Sequence, residues 1–186
     1  MGIIRTLNGD ISANQLGVTY SHDHIYCIPP YWAERQDDDL LLDDPQASER
    51  ELSDFRRAGG NAIYDATAPD YGRQAAAVAA MAQRQQLHII ATAGFNKGFL
   101  WSSKRPGSAQ TFAEWIAHSD VDELVEHVCR EVTEGIEGTE HRAGVVKCGT
   151  GYNAISPLEQ KTMEVIVRAQ QRTGAPMHSH TEMGDR

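Results

Sequence analysis

Two rhythms of apolar and polar residues alternate along this 186-residue chain. Short apolar runs bounded by Gly, Pro or Asn read as strands at residues 61–67 (NAIYDAT), 88–94 (HIIATAG), 143–149 (AGVVKCG) and 175–181 (APMHSHT). Between them, apolar positions recur at helical spacing. Residues 45–58 (PQASERELSDFRRA) form a predicted helix closed by Gly59-Gly60, and residues 73–86, rich in Ala, Gln and Met, form another. A longer loop over 96–109, carrying Gly98, Pro106 and Gly107, precedes a helical region predicted from about residue 111 to 135. Ser156-Pro157-Leu158-Glu159 is a capping box with proline at the first helical position, and it opens a helix that ends near Thr173-Gly174. The first 26 residues read as two short extended pieces around a turn at Asn8-Gly9-Asp10, leading into a strand with the sequence GVTYSHDHIY.

Apolar strands alternating with helices imply parallel βαβ units, arranged either as a doubly wound sheet or as a (β/α) barrel. No GxGxxG follows a strand and no GxxxxGK[ST] occurs, which removes the commonest nucleotide-binding signals. No internal repeat divides the chain, so residues 1–186 are expected to form a single domain.

Charge narrows the partners. The net charge of −9, without a dense Lys/Arg run, argues against nucleic acid or an anionic membrane and favours a small-molecule substrate. Three widely spaced cysteines, Cys27, Cys129 and Cys148, form no CxxC, and neither an apolar run long enough to span a bilayer nor a signal peptide is visible. The cytoplasm is the expected compartment.

Polar residues recur where the strands end, and that is where barrel enzymes keep their chemistry. His22 and His24 stand at i and i+2, so an extended strand would project both from one face. Alone, such a pair fits an ordinary strand as well as a cation site. Lys147 lies within Val-Val-Lys-Cys-Gly, where an unpaired ammonium would carry a large desolvation cost. Burial frees its amine, which can take up carbon dioxide as a carbamate whose two oxygens bridge two metal ions; the bland reading is a lysine that snorkels to the rim. His178 and His180 repeat the i, i+2 spacing on the last strand.

Taken together, GVTYSHDH, AGVVK and HSHT resemble the phosphotriesterase-related branch of the amidohydrolase superfamily. The intervening EGIEGT and ISPLE match it as well, and VKCGTGYNAISPLEQKT with HSHTE is most similar to lactonases that open phosphorylated furanose lactones. The resemblance implies a (β/α)8 TIM barrel with two divalent metal ions, zinc first and manganese as the alternative, and a metal-bound hydroxide that attacks a lactone or ester carbonyl or a phosphoester. It implies that His22 and His24 are ligands of the more buried metal, that Lys147 is the carbamylated bridging residue, and that His180 is a ligand of the more exposed metal. Lys97, after the third strand, and His178 are candidates for substrate contact, and Asp65 for orienting a ligand imidazole. Cys148 is expected to point away from Lys147 into the packing layer.

A complete barrel needs about 250 residues, so the chain is expected to be a partial barrel, strands one to five with an N-terminal hairpin. Strands six to eight, with a further ligand histidine and a metal-binding aspartate, would be missing. The partners then expected besides substrate are a complementing C-terminal part or further copies of the chain. A non-catalytic relative that binds metal or a partner without turnover is the alternative reading.

Overall fold

The computed structural model describes residues 2–32 and 41–181. Ile3–Thr6 (β1) and Gly9–Ser12 (β2) pair antiparallel around Leu7-Asn8, with Gly9 at the positive φ such a tight turn requires. This hairpin is tied to distant parts of the chain. Leu7 N–H donates to the Ile89 carbonyl at 2.8 Å, and Arg5 reaches the Val132 carbonyl at 2.7 Å.

The remaining strands are parallel and follow chain order. Thr19–Asp23 (β3), Ala62–Asp65 (β4) and His88–Ile90 (β5) form one three-stranded sheet; Thr92–Gly94 (β6), Val145–Thr150 (β7) and Met177–Thr181 (β8) form another. Among the described residues five α-helices connect them: Pro45–Arg57 (α1), Ala75–Gln85 (α2), Phe112–His118 (α3), Val121–Thr133 (α4) and Pro157–Thr173 (α5). Sequential parallel strands with helices packed outside them make this an α/β fold, a partial (β/α)8 barrel, in which β5 and β6 are two halves of the third strand. Its core lies between strands and helices, with Ile63, Ile89, Val146, Leu124, Val128 and Ile166 almost wholly buried.

Two predicted elements are divided. The strand expected at 88–94 breaks at Ala91, whose carbonyl accepts from Gly144 and Val145 as the chain exchanges its pairing with β4 for pairing with β7. The helix expected over 111–135 breaks at Ser119-Asp120, because Asp120 is extended and starts α4 through its own capping box with Glu123. The helix expected at 73–86 begins only at Ala75. Arg73 instead turns inward as a buried cation held by both Glu131 oxygens at 2.6 and 2.9 Å, and by Glu137 at 3.0 Å. Among the described residues no helix is long and apolar enough to cross a membrane.

Candidate functional site

The register of the strands explains how distant residues meet. Gly94, Lys147 and His178 are aligned across β6, β7 and β8, so Lys147 and His178 rise from neighbouring rungs of the same ladder. The strands approach closely here: a Cβ on Gly94 would come within 2.4 Å of the Lys147 carbonyl oxygen. His180 follows two residues after His178, paired with Gly149. From the other sheet, His22 lies on β3 and His24 just beyond it, where the pairing with β4 is irregular between Tyr20 and Asp23.

These side chains converge. The His22 ring lies 5.6 Å from His24, 5.1 Å from His178 and 6.2 Å from Tyr64, centroid to centroid. Lys147 is wholly buried, and its ammonium donates to the Ala66 carbonyl at 2.8 Å. Burial, partly offset by Asp70 and Asp65, lowers the Lys147 pKa to about 8, within reach of a free amine near neutral pH. Lys97 is not the exposed loop lysine that its position after the third strand would also allow. It is 8% exposed, and its Nζ donates to His180 Nε2 at 3.3 Å.

Hydrogen bonding assigns the ring nitrogens. Thr67 gives its one hydroxyl proton to Asp65 Oδ1, which also accepts the Thr67 backbone N–H at 3.0 Å. Thr67 Oγ1 is therefore left to accept from His24 Nδ1, 2.9 Å away. This tautomer leaves the lone pair of His24 on Nε2. Asp65 thus acts on His24 at one remove, through Thr67, while burial pushes its own pKa up to about 6. Burial, then the charges of Lys147, His22 and His180, depress the His24 pKa to about 3, so its ring is neutral. His22 and His178 are shifted down for the same first cause and by Lys147. Lys97 donating to His180 marks His180 Nε2 as another lone-pair site.

The arrangement is thus a nest of neutral imidazoles and one readily deprotonated amine, which is the chemistry of a divalent-metal donor set. Among the described residues no three His, Cys, Asp or Glu side chains stand together to hold a metal ion. Glu182, the end of the HSHTE motif, lies outside the described residues. Cys148 belongs to the buried core, as expected.

Three participants were not singled out by the sequence: Tyr64, Thr67 and Thr92. Each is a hydroxyl in or beside an apolar strand, the same signal that drew attention to Lys147. A cavity of about 400 Å³ opens beside β3, where Asp23 and His24 meet Leu52 and Phe55 of α1. It lies against the helix layer and does not involve Lys147, His178 or His180.

Comparison with known proteins places these strand ends in context. The family model described as "Phosphotriesterase family" matches residues 2–186. A phospho-furanose lactonase of Mycoplasmopsis agalactiae is 29% identical over 97% of this chain, and one of Mycoplasmopsis synoviae is 30% identical over 97%. Among solved structures, a lactonase from Listeria monocytogenes superposes with a TM-score of 0.94 at 50% identity, covering 97% of this chain and 57% of that one. The organophosphorus hydrolase of Deinococcus radiodurans gives a TM-score of 0.81 at 31% identity, covering 98% and 54%. The chain spans about half the length of the curated relatives it matches, 52% of each lactonase.

Proposed function

This chain belongs to the phosphotriesterase family, and from that premise we propose that its strand ends form part of a metal-dependent hydrolase site for a small lactone or ester, or a phosphoester. The observation that carries the reading is the meeting of the two sheets at the histidines, His22 lying 5.6 Å from His24 and 5.1 Å from His178, with the charges of Lys147 and His180 felt at His24 and lone pairs assigned to Nε2 of His24 and of His180. The lactonase and organophosphorus hydrolase relatives support the substrate classes.

In this reading His22 and His24 would hold one divalent ion and His180 a second, with Lys147 as a further donor; zinc is the first choice and manganese the alternative. Bound there, the ions would supply Lewis acidity to the scissile carbonyl or phosphoryl oxygen and lower the pKa of water. The free amine of Lys147 adds to carbon dioxide, forming an N–C bond and releasing one proton, and so gains a carboxylate-like end. Thr67, backed by Asp65, holds His24 in the tautomer that leaves Nε2 unprotonated. Lys97 and His178 face substrate, and Lys97 is placed to meet an anionic group.

Metal analysis after dialysis against zinc or manganese with bicarbonate, joined to lactone and phosphotriester turnover assays, tests the proposal. Retained metal is expected in the natural chain and is expected to be lost in Lys147→Met and His24→Asn. Absence of retained metal would overturn the site; retained metal with no turnover of either substrate would overturn the hydrolase reading for this chain.

A further inference from the structure

His178 has an environment unlike that of the other histidines at the strand ends. Its Nδ1 lies 2.8 Å from the Tyr64 hydroxyl, and the two rings meet edge to face with centroids 5.4 Å apart. Behind Tyr64 stands Thr92, whose Oγ1 is 2.7 Å from the Asp65 carbonyl and 3.2 Å from the Tyr64 oxygen. Thr92 has one proton, and the carbonyl, which can only accept, takes it. Tyr64 then has two acceptors within reach, Thr92 Oγ1 at 3.2 Å and His178 Nδ1 at 2.8 Å, and the imidazole nitrogen is the nearer and the more basic of the two.

We propose that Tyr64 is a positioning residue that holds His178 with Nδ1 as acceptor and Nε2–H as donor, so that His178 offers a hydrogen bond to an anionic or carbonyl oxygen of the substrate instead of a lone pair to a metal. This rests on the proposed hydrolase site and adds to it a division of labour between the two histidines whose rings lie 5.6 Å and 5.1 Å from that of His22: His24 presents a lone pair at Nε2, His178 presents a proton. The opposite tautomers follow from opposite partners. Thr67 has already given its proton to Asp65 and can only accept from His24, whereas Tyr64 still has its proton to give.

The setting suits an oxygen-rich anion. Although the chain carries a net charge of −9, the space around His178 holds the His22 ring and, through His180, the ammonium of Lys97. The carboxylate behind them, Asp65, is turned toward Thr67. A donor added to this nest fits a phosphate, a carboxylate or the carbonyl oxygen of a strained ester.

The test uses the chain labelled with nitrogen-15 in its histidines, with His178→Asn identifying the His178 signals. In the natural chain Nδ1 is expected to show the shift of an unprotonated nitrogen and Nε2 that of a protonated one. Tyr64→Phe, which keeps the ring and removes only the hydroxyl, is expected to release this bias toward a mixture of tautomers. Inorganic phosphate should shift the His178 signal, with affinity about fivefold to tenfold weaker in Tyr64→Phe. Added zinc, in a separate titration, should move the His24 signals and leave His178 protonated at Nε2.

An Nδ1–H tautomer in the natural chain, an unchanged tautomer in Tyr64→Phe, or phosphate binding indifferent to both substitutions would overturn the inference. So would zinc binding through His178, although that result would leave a metal site standing. If the chain takes up no zinc, the hydrolase reading fails on its own, and the tautomer and phosphate measurements still decide the role of Tyr64.

Discussion

Asp70 shows what one buried carboxyl does to this protein. Its Oδ2 accepts from Asn96 N–H at 2.7 Å and from the Trp101 indole at 2.6 Å, while Oδ1 has no hydrogen-bond partner among the described residues. Burial outweighs those donors and raises the pKa from an ordinary 3.8 to about 6. A folded-state pKa above the unfolded one means that the fold holds the proton more tightly. The contribution of Asp70 to stability therefore grows as pH falls from about 6 to 3.8 and is absent above 6, where both states are ionised and the fold carries a buried carboxylate. Asp70→Asn keeps an acceptor for Asn96 and Trp101 and removes the titration. The natural chain is expected to gain about 2–3 kcal/mol relative to the variant between pH 7.5 and pH 4. Urea unfolding of both proteins at the two pH values measures this, and parallel stability curves would refute it. Nothing in Ala-Pro-Asp-Tyr-Gly announces that role, because it depends on burial beneath Trp101, a residue far along the chain.

Glu159 connects two elements. One of its oxygens accepts from Ser156 N–H at 2.8 Å, completing the cap of α5, and the other accepts from Gly98 N–H at 3.0 Å, next to Lys97. The cap that starts a helix thereby also anchors the turn that delivers Lys97 to His180. Ser156→Ala is expected to cost about 1 kcal/mol as a lost cap. Glu159→Ala should cost more and should, unlike Ser156→Ala, speed hydrogen exchange at the Gly98 amide. Equal protection of Gly98 in both variants would show that the anchor is immaterial. The capping box was legible because its partners are three residues apart; the bond to Gly98, 61 positions away, was not. The two divided elements differ in the same way. Asp120 and Glu123 announce a helix start locally, but the apolar spacing through Leu124 and Val128 hides it, whereas the break at Ala91 depends on where Gly144 and Val145 come to lie.

For the whole molecule, the alternation of strands and helices was readable from periodicity and the candidates His22, Lys147, His178 and His180 from motif, since both belong to single elements; Lys147 and His178 nevertheless lie within β7 and β8, not at their ends. The tautomers were not readable, because Thr67 lies 43 residues from His24 and Tyr64 lies 114 from His178, and only folding brings those hydroxyls to the rings. The same long-range convergence makes a prediction about stability. His22 and His24 come from the sheet of β3 to β5, and Lys147 and His180 from that of β6 to β8. An ion gripping both would bind the folded chain and not the unfolded one, adding about 2.7 kcal/mol at a hundredfold excess over its dissociation constant. For a domain of this size that is a rise in Tm of about 5–10 °C. Thermal unfolding with added zinc should show the rise in the natural chain and its reversal by a chelator. Because the ligands span both sheets, removing either side alone should abolish it, in His24→Asn and in Lys147→Met alike. A shift that survives in Lys147→Met would place zinc on one sheet and separate the imidazoles of β3 from the rest of the site.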